Sequence, residues 1–411
     1  MFFLKMAFKN LTRHKRRTII TALIIAFAIL IYVITEGLMI GMTEMSFDNI
    51  INLESGHLQV ADQNYWEDRK ELQLKNLITP AAEIENKISQ TDGFEALTRR
   101  LNFAVNLNNG IDELPVTGVG INLETDSRVF ELDQHLVEGR MPEAGSTEII
   151  MGAKLAELMD FQLGDYAIML IRTEEKTFNT IDGEIVGLFN TPHPSLNESN
   201  VFLPLSTVQE RLNVEDKISH YVVRLNDQDL ASNAAEELSS RLSAPYQAYS
   251  WRDAARSLVT MLEMQDIETQ IILAIILTLA AVGIVNTVIL SALERMEELG
   301  MMKALGMHER EIVYTFMGEA AGIGLIGGVM GVIMGIIGLA IFNINGIDMA
   351  TMTGGGDMTY GFPLSGTIYA GWELESFIFV FVYGVVVSVL ASVLPALWAA
   401  RKDPVKAIYH R

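Results

Sequence analysis

The sequence predicts a membrane protein built from four transmembrane α-helices plus a large extracytoplasmic α+β domain between helices 1 and 2. Two observations carry this reading. Half of the 411 residues are hydrophobic while the net charge is −21, so apolar and charged residues must be segregated along the chain. Four uncharged or nearly uncharged runs also reach the ~20 residues that a membrane-crossing helix needs. The length leaves room for two or three domains.

The first run, Thr18–Ile40, carries Glu36 as its one charge, and the second, Ile271–Leu293, carries none. The third, from about Ile312 to Phe342, contains Glu319; the fourth, Phe377–Ala400, is again uncharged. The spans are accordingly placed at 18–41, 269–293, 312–342 and 375–398. The first run is longer than a signal-peptide core and no small-x-small site follows before Met45, so an uncleaved anchor is expected.

Orientation follows from Lys and Arg in the short flanks. Lys5, Lys9, Arg13, Lys15, Arg16 and Arg17 precede the first span, Arg295, Lys303 and Arg310 lie between the second and third, and Arg401, Lys402, Lys406 and Arg411 end the chain. The stretch Asn343–Leu374 has neither residue. Segments 1–17, 294–311 and 399–411 are therefore expected on the cytoplasmic side and 42–268 and 343–374 outside. This makes a multi-pass protein of the bacterial cytoplasmic (inner) membrane with both termini cytoplasmic.

Residues 42–268 hold 17 Lys and Arg against 39 Asp and Glu. Such a surface excludes nucleic acid as a partner; it keeps an exported domain soluble or draws a cationic ligand. Alternating runs predict strands at 56–60, 114–121, 165–171, 183–189 and 219–225. Helical spacing marks 81–89, 152–160, 205–212 and 231–242, and the mixture defines an α+β domain. Strand-rich and helix-rich stretches recur twice, which predicts two subdomains, and 191–199 (TPHPSLNES) reads as a loop.

Two segments join this domain to the membrane. Met42, Met45, Ile50 and Leu53 continue the spacing of the first helix outward. Asp253 is placed to cap a helix with Leu258, Met261, Leu262 and Gln265 on one face. With no Pro or Gly from Asp253 to Val282, that helix is expected to run into the second span. The two form a paired stalk or simple helical linkers.

LERMEELGMMKALGM, Leu293–Met307, lies between the second and third spans. Leu293, Met296, Leu299 and Met302 recur every three residues, with Glu294, Arg295, Glu297 and Glu298 between them. Gly300 and Gly306 punctuate the segment, and Lys303, Ala304 and Leu305 complete it. This predicts a short amphipathic helix whose polar face is mainly acidic, the opposite of what anionic lipid selects. A protein partner fits better.

Glycines crowd the third span at Gly318, Gly322, Gly324, Gly327, Gly328, Gly331, Gly335 and Gly338, with small-xxx-small spacing that predicts close helix packing. The Gly322–Gly327 stretch has a GxGxxG pattern, but inside an apolar run without a preceding strand, so it reads as helix packing. Asn286 and Thr287 are expected to bond across helices. Glu319 is expected to bond to a neighbouring helix, stay hydrated or serve a function. The chain has no cysteine, its histidines lack ligand spacing, and no Ser/His/Asp grouping stands out. Neither a catalytic residue nor a metal site is expected.

These motifs together resemble the FtsX/MacB-type ABC transporter permeases, most nearly the lipoprotein-releasing (LolC/LolE-like) branch. The family's cytoplasmic signature is matched by Glu294, Arg295, Glu298, Gly300, Ala304, Leu305 and Gly306, followed by Glu319. Its tail is matched by Pro395, Ala396, Ala399, Ala400, Pro404 and Ala407, with Ile408 in place of Leu. FKNLTRHKRRT before the first span and GHLQV after it also fit. Glu297 departs from the family, which often has Arg there. The resemblance implies a MacB-like periplasmic core and a non-catalytic permease subunit with an ABC ATPase subunit and a second permease subunit, identical or paralogous, as partners. It places ATP and Mg on the ATPase and no cofactor on this chain, with Leu293–Gly300 and Met302–Gly306 as the ATPase-coupling residues. The cargo it implies is a lipoprotein or other hydrophobic molecule drawn from membrane lipid by mechanical work of the outer domain. An FtsX-like regulator of an envelope enzyme is the alternative, and a sensor without an ATPase is a third.

Overall fold

Why does an acidic, half-apolar chain fold at all? Its two kinds of sequence fold apart. A computed structural model describes residues 13, 15–348 and 367–402. Lys5, Lys9, Lys406, Arg411, Pro404, Ala407, Ile408 and the stretch 349–366 lie outside the described residues. Met45–Thr260 belongs to one unit and the long apolar helices to another.

In the first unit ten strands make one mixed sheet: β1 (Leu58–Asp62), β2 (Phe94–Asn108), β3 (Glu113–Ile121), β4 (Leu136–Gly139), β5 (Ile149–Gly152), β6 (Tyr166–Arg172), β7 (Phe178–Phe189), β8 (Asn200–Pro204), β9 (His220–Leu225) and β10 (Tyr246–Ser250). Their order is β10-β1-β9-β2-β3-β8-β5-β7-β4, and β6 pairs with both β2 and β7. Strands β2, β3, β8, β5, β7 and β6 therefore close into a ring.

The five expected strands fall on β1, β3, β6, β7 and β9. Two subdomains were expected, and there is one sheet. The reason is β2, whose first half pairs with β9 and whose second half pairs with β6, while β3 lines its other edge. It stitches the halves together. Its sequence hides this role because Arg100 points inward among apolar positions.

Arg100 and Asp126 form a bidentate pair at 2.9 Å, each side chain only 5% exposed. The guanidinium lies 3.5 Å from the centre of the Phe130 ring. The main core of the domain is a separate and ordinary cluster: Leu101, Phe103, Ile149, Met151, Leu203, Val223 and Trp251 are fully buried, and burial of this kind contributes about 25 cal/mol per Å².

Helices at Ala82–Ser89, Ala153–Leu158, Leu205–Leu212 and Ala231–Arg241 match the expected ones. The expected loop at 191–199 contains a short helix, Pro194–Ser199, because proline in the first turn presets φ and lacks only an N–H that had no partner anyway. Asp253 is not the expected cap. Ser250 caps Trp251–Ala254, and Asp253 returns a bond to the Ser250 N–H at 3.1 Å. The chain then breaks at Ala255, so the next helix starts at Arg256 rather than at Asp253.

The second unit contains α1 (Lys15–Ile50, to Glu44), α2 (Arg256–Glu294, from Met261), α3 (Met296–Ala304), α4 (Glu309–Asn345) and α5 (Leu374–Ala400). All but α3 are long and apolar enough to cross a membrane.

Helix α4 carries two stripes of glycine. On one, a Cβ at Gly327 would stand 2.7 Å from the Ala22 carbonyl, one at Gly331 would stand 2.7 Å from Ile29 Cβ, and one at Gly335 would stand 2.7 Å from Val33 Cγ1. On the other, Gly324 would meet Ser388 Oγ at 2.8 Å and Gly328 would meet the Phe381 ring at 2.7 Å. Helix α4 is thus seated against α1 and α5 of its own chain. Gly318 and Gly322 are half-buried, and the GxGxxG stretch is helical throughout. Thr21 of α1 shares a 2.7 Å hydroxyl hydrogen bond with Thr287 of α2, as expected for Thr287; Asn286 faces outward instead.

Candidate coupling site

The helix α2 ends because the backbone leaves helical geometry at Arg295, φ −115° and ψ 20°. Leu293 and Glu294 therefore belong to α2, and the short helix starts at Met296. The expected apolar face is only partly realised. Leu299 is buried, Met296 and Met302 are half-buried, and Leu293 is exposed on the preceding helix. A break of one residue between Leu293 and Met296 puts the two on different axes, which a three-residue repeat cannot reveal.

Arg295 is the surprise. Sequence spacing places it on the polar face, yet it is 6% exposed. Its Nη1 donates to Glu319 Oε1 of α4 at 2.9 Å, and its Nε donates to Glu298 Oε2 at 3.1 Å. Glu319 is itself 7% exposed. Two buried charges are stable together because each supplies the partner the other needs, and removing either alone costs about 3–5 kcal/mol. A signal for this pair was present: a lone carboxylate in an apolar run requires a cation within reach, and Arg295 follows the preceding span.

The network extends outward. Arg13 donates to Glu298 Oε1 at 2.9 Å and Arg17 to Glu294 Oε2 at 2.9 Å. Hydrogen bonds from Arg13 and Arg295 hold the Glu298 carboxyl below its ordinary range. These outer pairs are partly exposed and each contributes about 0–1 kcal/mol. At the other end of α3, Lys303 Nζ donates to the Ala400 carbonyl at 2.7 Å and to the Lys402 carbonyl at 3.1 Å. A cation there meets carbonyls left without partners at the end of α5. Ala396, Ala399 and Ala400 are buried, which explains the small residues of the tail motif.

Helix α3 is thus held to α4, to α5 and to Arg13 just ahead of α1. Among the described residues nothing covers its outer side: Glu297, Met301, Ala304, Leu305 and Gly306 are exposed, with Leu305 at 89%. Gly306 turns the chain into α4 at φ +98°, a conformation costly for residues with a Cβ. Gly300 is buried beside Leu299. The exposed side is acidic at Glu297 and apolar at Met301 and Leu305. Among the described residues no group of His, Asp and Glu is arranged to hold a metal ion.

Four helices long and apolar enough to cross a membrane, a ring-closed α+β domain between the first two in sequence and a braced helix between the second and third describe a multi-pass membrane protein. Residues 270–404 match the family model for the FtsX-like permease C-terminal region, and residues 18–241 match that for the MacB-like periplasmic core domain. The chain belongs to the FtsX-like ABC transporter permeases with a MacB-like periplasmic core. It is similar to the macrolide export ATP-binding/permease protein MacB of Escherichia coli, 23% identical over 98% of this chain and 59% of that protein. It is also similar to the lipoprotein-releasing system transmembrane protein LolC of Xylella fastidiosa, 24% identical over 53% of this chain and 54% of that one. The chain therefore spans little more than half the length of these relatives. The periplasmic region of MacB from Actinobacillus actinomycetemcomitans matches 52% of this chain and 97% of its own, at 15% identity and a TM-score of 0.36.

Proposed function

We propose that this chain is the non-catalytic permease subunit of an ABC transporter, docking an ATPase subunit at α3 and the turn that follows it. The observation that carries the reading is the division of α3 into two sides. One side is tied by ion pairs and backbone bonds to α4, to α5 and to Arg13 ahead of α1. The other presents Met301, Ala304 and Leu305 to a partner. A handle must be gripped from outside and fixed from inside, and this segment is both.

ATP and Mg belong to the ATPase in this reading, and a second permease subunit, identical or paralogous, completes the membrane part. The Lys and Arg flanks put α3 and both termini on the cytoplasmic side of the inner membrane. The α+β domain lies outside and does mechanical work on a lipoprotein or other hydrophobic cargo taken from membrane lipid. The names of the relatives support this class of cargo, and the four apolar runs 18–40, 271–293, 312–342 and 377–400, whose charges are Glu36 and Glu319, support a route that does not pass between them.

The test is purification of the tagged chain from its native host in mild detergent, with co-purifying proteins identified by mass spectrometry. An ATPase subunit is expected, and it is expected to be lost from Leu305→Asp. A lipoprotein in the eluate favours release, whereas an envelope hydrolase favours the regulator reading. A folded chain that recovers no ATPase overturns the proposal.

A further inference from the structure

The buried pair of Arg295 and Glu319 stands 24 positions apart in sequence and is used by nothing described so far. Its geometry is specific. The guanidinium is planar, and its donors form a rigid fork that fixes two acceptors relative to each other. Here one acceptor, Glu298, is on the first turn of α3, and the other, Glu319, is inside α4. One rigid group therefore holds the short helix to the long one.

The residue bearing that group is also where the backbone leaves helical geometry. Leu299, one turn along, is buried in the same cluster as Ile312, Phe316 and Ala320 of α4. The cluster also holds Val288 and Ala292 of α2, while the ion pair of Glu294 runs from α2 to Arg17 of α1, 22% and 51% exposed, and not to α3.

We propose that Arg295 and Glu319 are positioning residues: their pair locks α3 to α4, so that motion imposed on α3 passes into α4 while the chain swivels at Arg295 relative to α2. This deepens the docking reading of α3 and rests on it for the source of the motion. The lock itself is a property of the free chain.

The chain has no cysteine, so introduced cysteines carry spin labels at chosen sites alone, and unlabelled wild-type chain dilutes any signal between copies. Labels at Met301 and Tyr314 report α3 against α4; labels at Leu290 and Met301 report α2 against α3. All three positions are exposed. In nanodiscs without nucleotide, the Met301–Tyr314 distance distribution is expected to be narrow. It should widen at least twofold in Arg295→Met/Glu319→Met, which removes both charges and leaves none unpaired in the interior.

Thermal unfolding of the double variant separates loss of the lock from loss of the fold. If it does not fold, Arg295→Lys takes its place; this keeps the charge but not the fork and should widen the distribution as well. For the ATPase arm the α3 label moves to Glu297, which is exposed and outside the apolar tip; with the co-purified ATPase, ATP and vanadate, the Leu290–Glu297 distance should shift while Glu297–Tyr314 stays put.

An unchanged width in a folded double variant overturns the lock, and so does a Glu297–Tyr314 distance that moves with ATP when Arg295 and Glu319 are intact. Failure to recover any ATPase overturns the docking reading and leaves the nucleotide-free measurement to judge the lock alone.

Discussion

Acid should destabilise the α+β domain through His220, and the size of the effect follows from its surroundings. His220 is opposite Arg100 in the β2–β9 pairing, is 4% exposed, and its Nδ1 is 2.8 Å from Ser219 Oγ. Burial and then the positive charge of Arg100 push its pKa from 6.5 down to about 3. The folded state thus holds the imidazole neutral while the unfolded chain binds a proton below pH 6.5. Stability is intact above that value and falls as pH drops towards the folded pKa. The slope is about 1.4 kcal/mol per pH unit for one proton, giving a loss of about 2 kcal/mol at pH 5. His57, pushed down to about 4 by burial and by Arg224, acts in the same direction. Urea unfolding of the full chain in detergent, followed by fluorescence of Trp66 and Trp251 in variants where Trp372 and Trp398 are Phe, measures this. His220→Gln should start lower in stability yet lose roughly one proton's worth of slope between pH 6 and 5. A wild-type curve that is flat from pH 7 to 5, or a variant with the same slope, refutes the reasoning.

Arg100→Met should cost about 3–5 kcal/mol because Asp126 is left charged and buried, and adding Asp126→Leu should recover most of it; chemical unfolding of both variants checks this. Gly331→Val should force α4 away from Ile29 and Ala26, costing at least the ~1–3 kcal/mol of an overpacked site; the yield of monodisperse protein in detergent and its thermal midpoint report it. Leu299→Asp should destabilise the helix cluster, since the side chain is 5% exposed. Leu305→Asp should leave the unfolding free energy within about 0.5 kcal/mol of wild type while abolishing ATPase recovery. Equal effects of the two substitutions on stability would contradict the assignment of inner and outer sides.

The membrane helices were legible because a bilayer imposes a length that only a long apolar run satisfies, and all four runs lie in single helices. The strands with clean alternation were legible for a similar reason. The strand β2 was not, since Arg99 and Arg100 break the apolar pattern and only a partner 26 positions away makes Arg100 an interior residue. The coupling segment was legible as a segment but not as a surface. Its three-residue repeat predicted one face, whereas a break at Arg295 divides it between two helices. The glycines announced tight packing, and it took the structure to divide them between α1 on one side and α5 on the other.

That division constrains how α4 can move. Glycines 327, 331 and 335 meet positions 22–33 of α1 at intervals of four residues, and glycines 324 and 328 repeat the interval against α5. Rotation of α4 about its axis would drive Val329 or Ile333, now exposed, into spaces sized for a hydrogen atom. Axial slippage by a single residue does the same. Only a displacement of one full repeat, about 6 Å along the helix, returns a glycine to an Ile or Val of α1 on one side and to Ser388 or Phe381 of α5 on the other. The helix is therefore indexed like a toothed rail, with one stable seat and the next a whole tooth away.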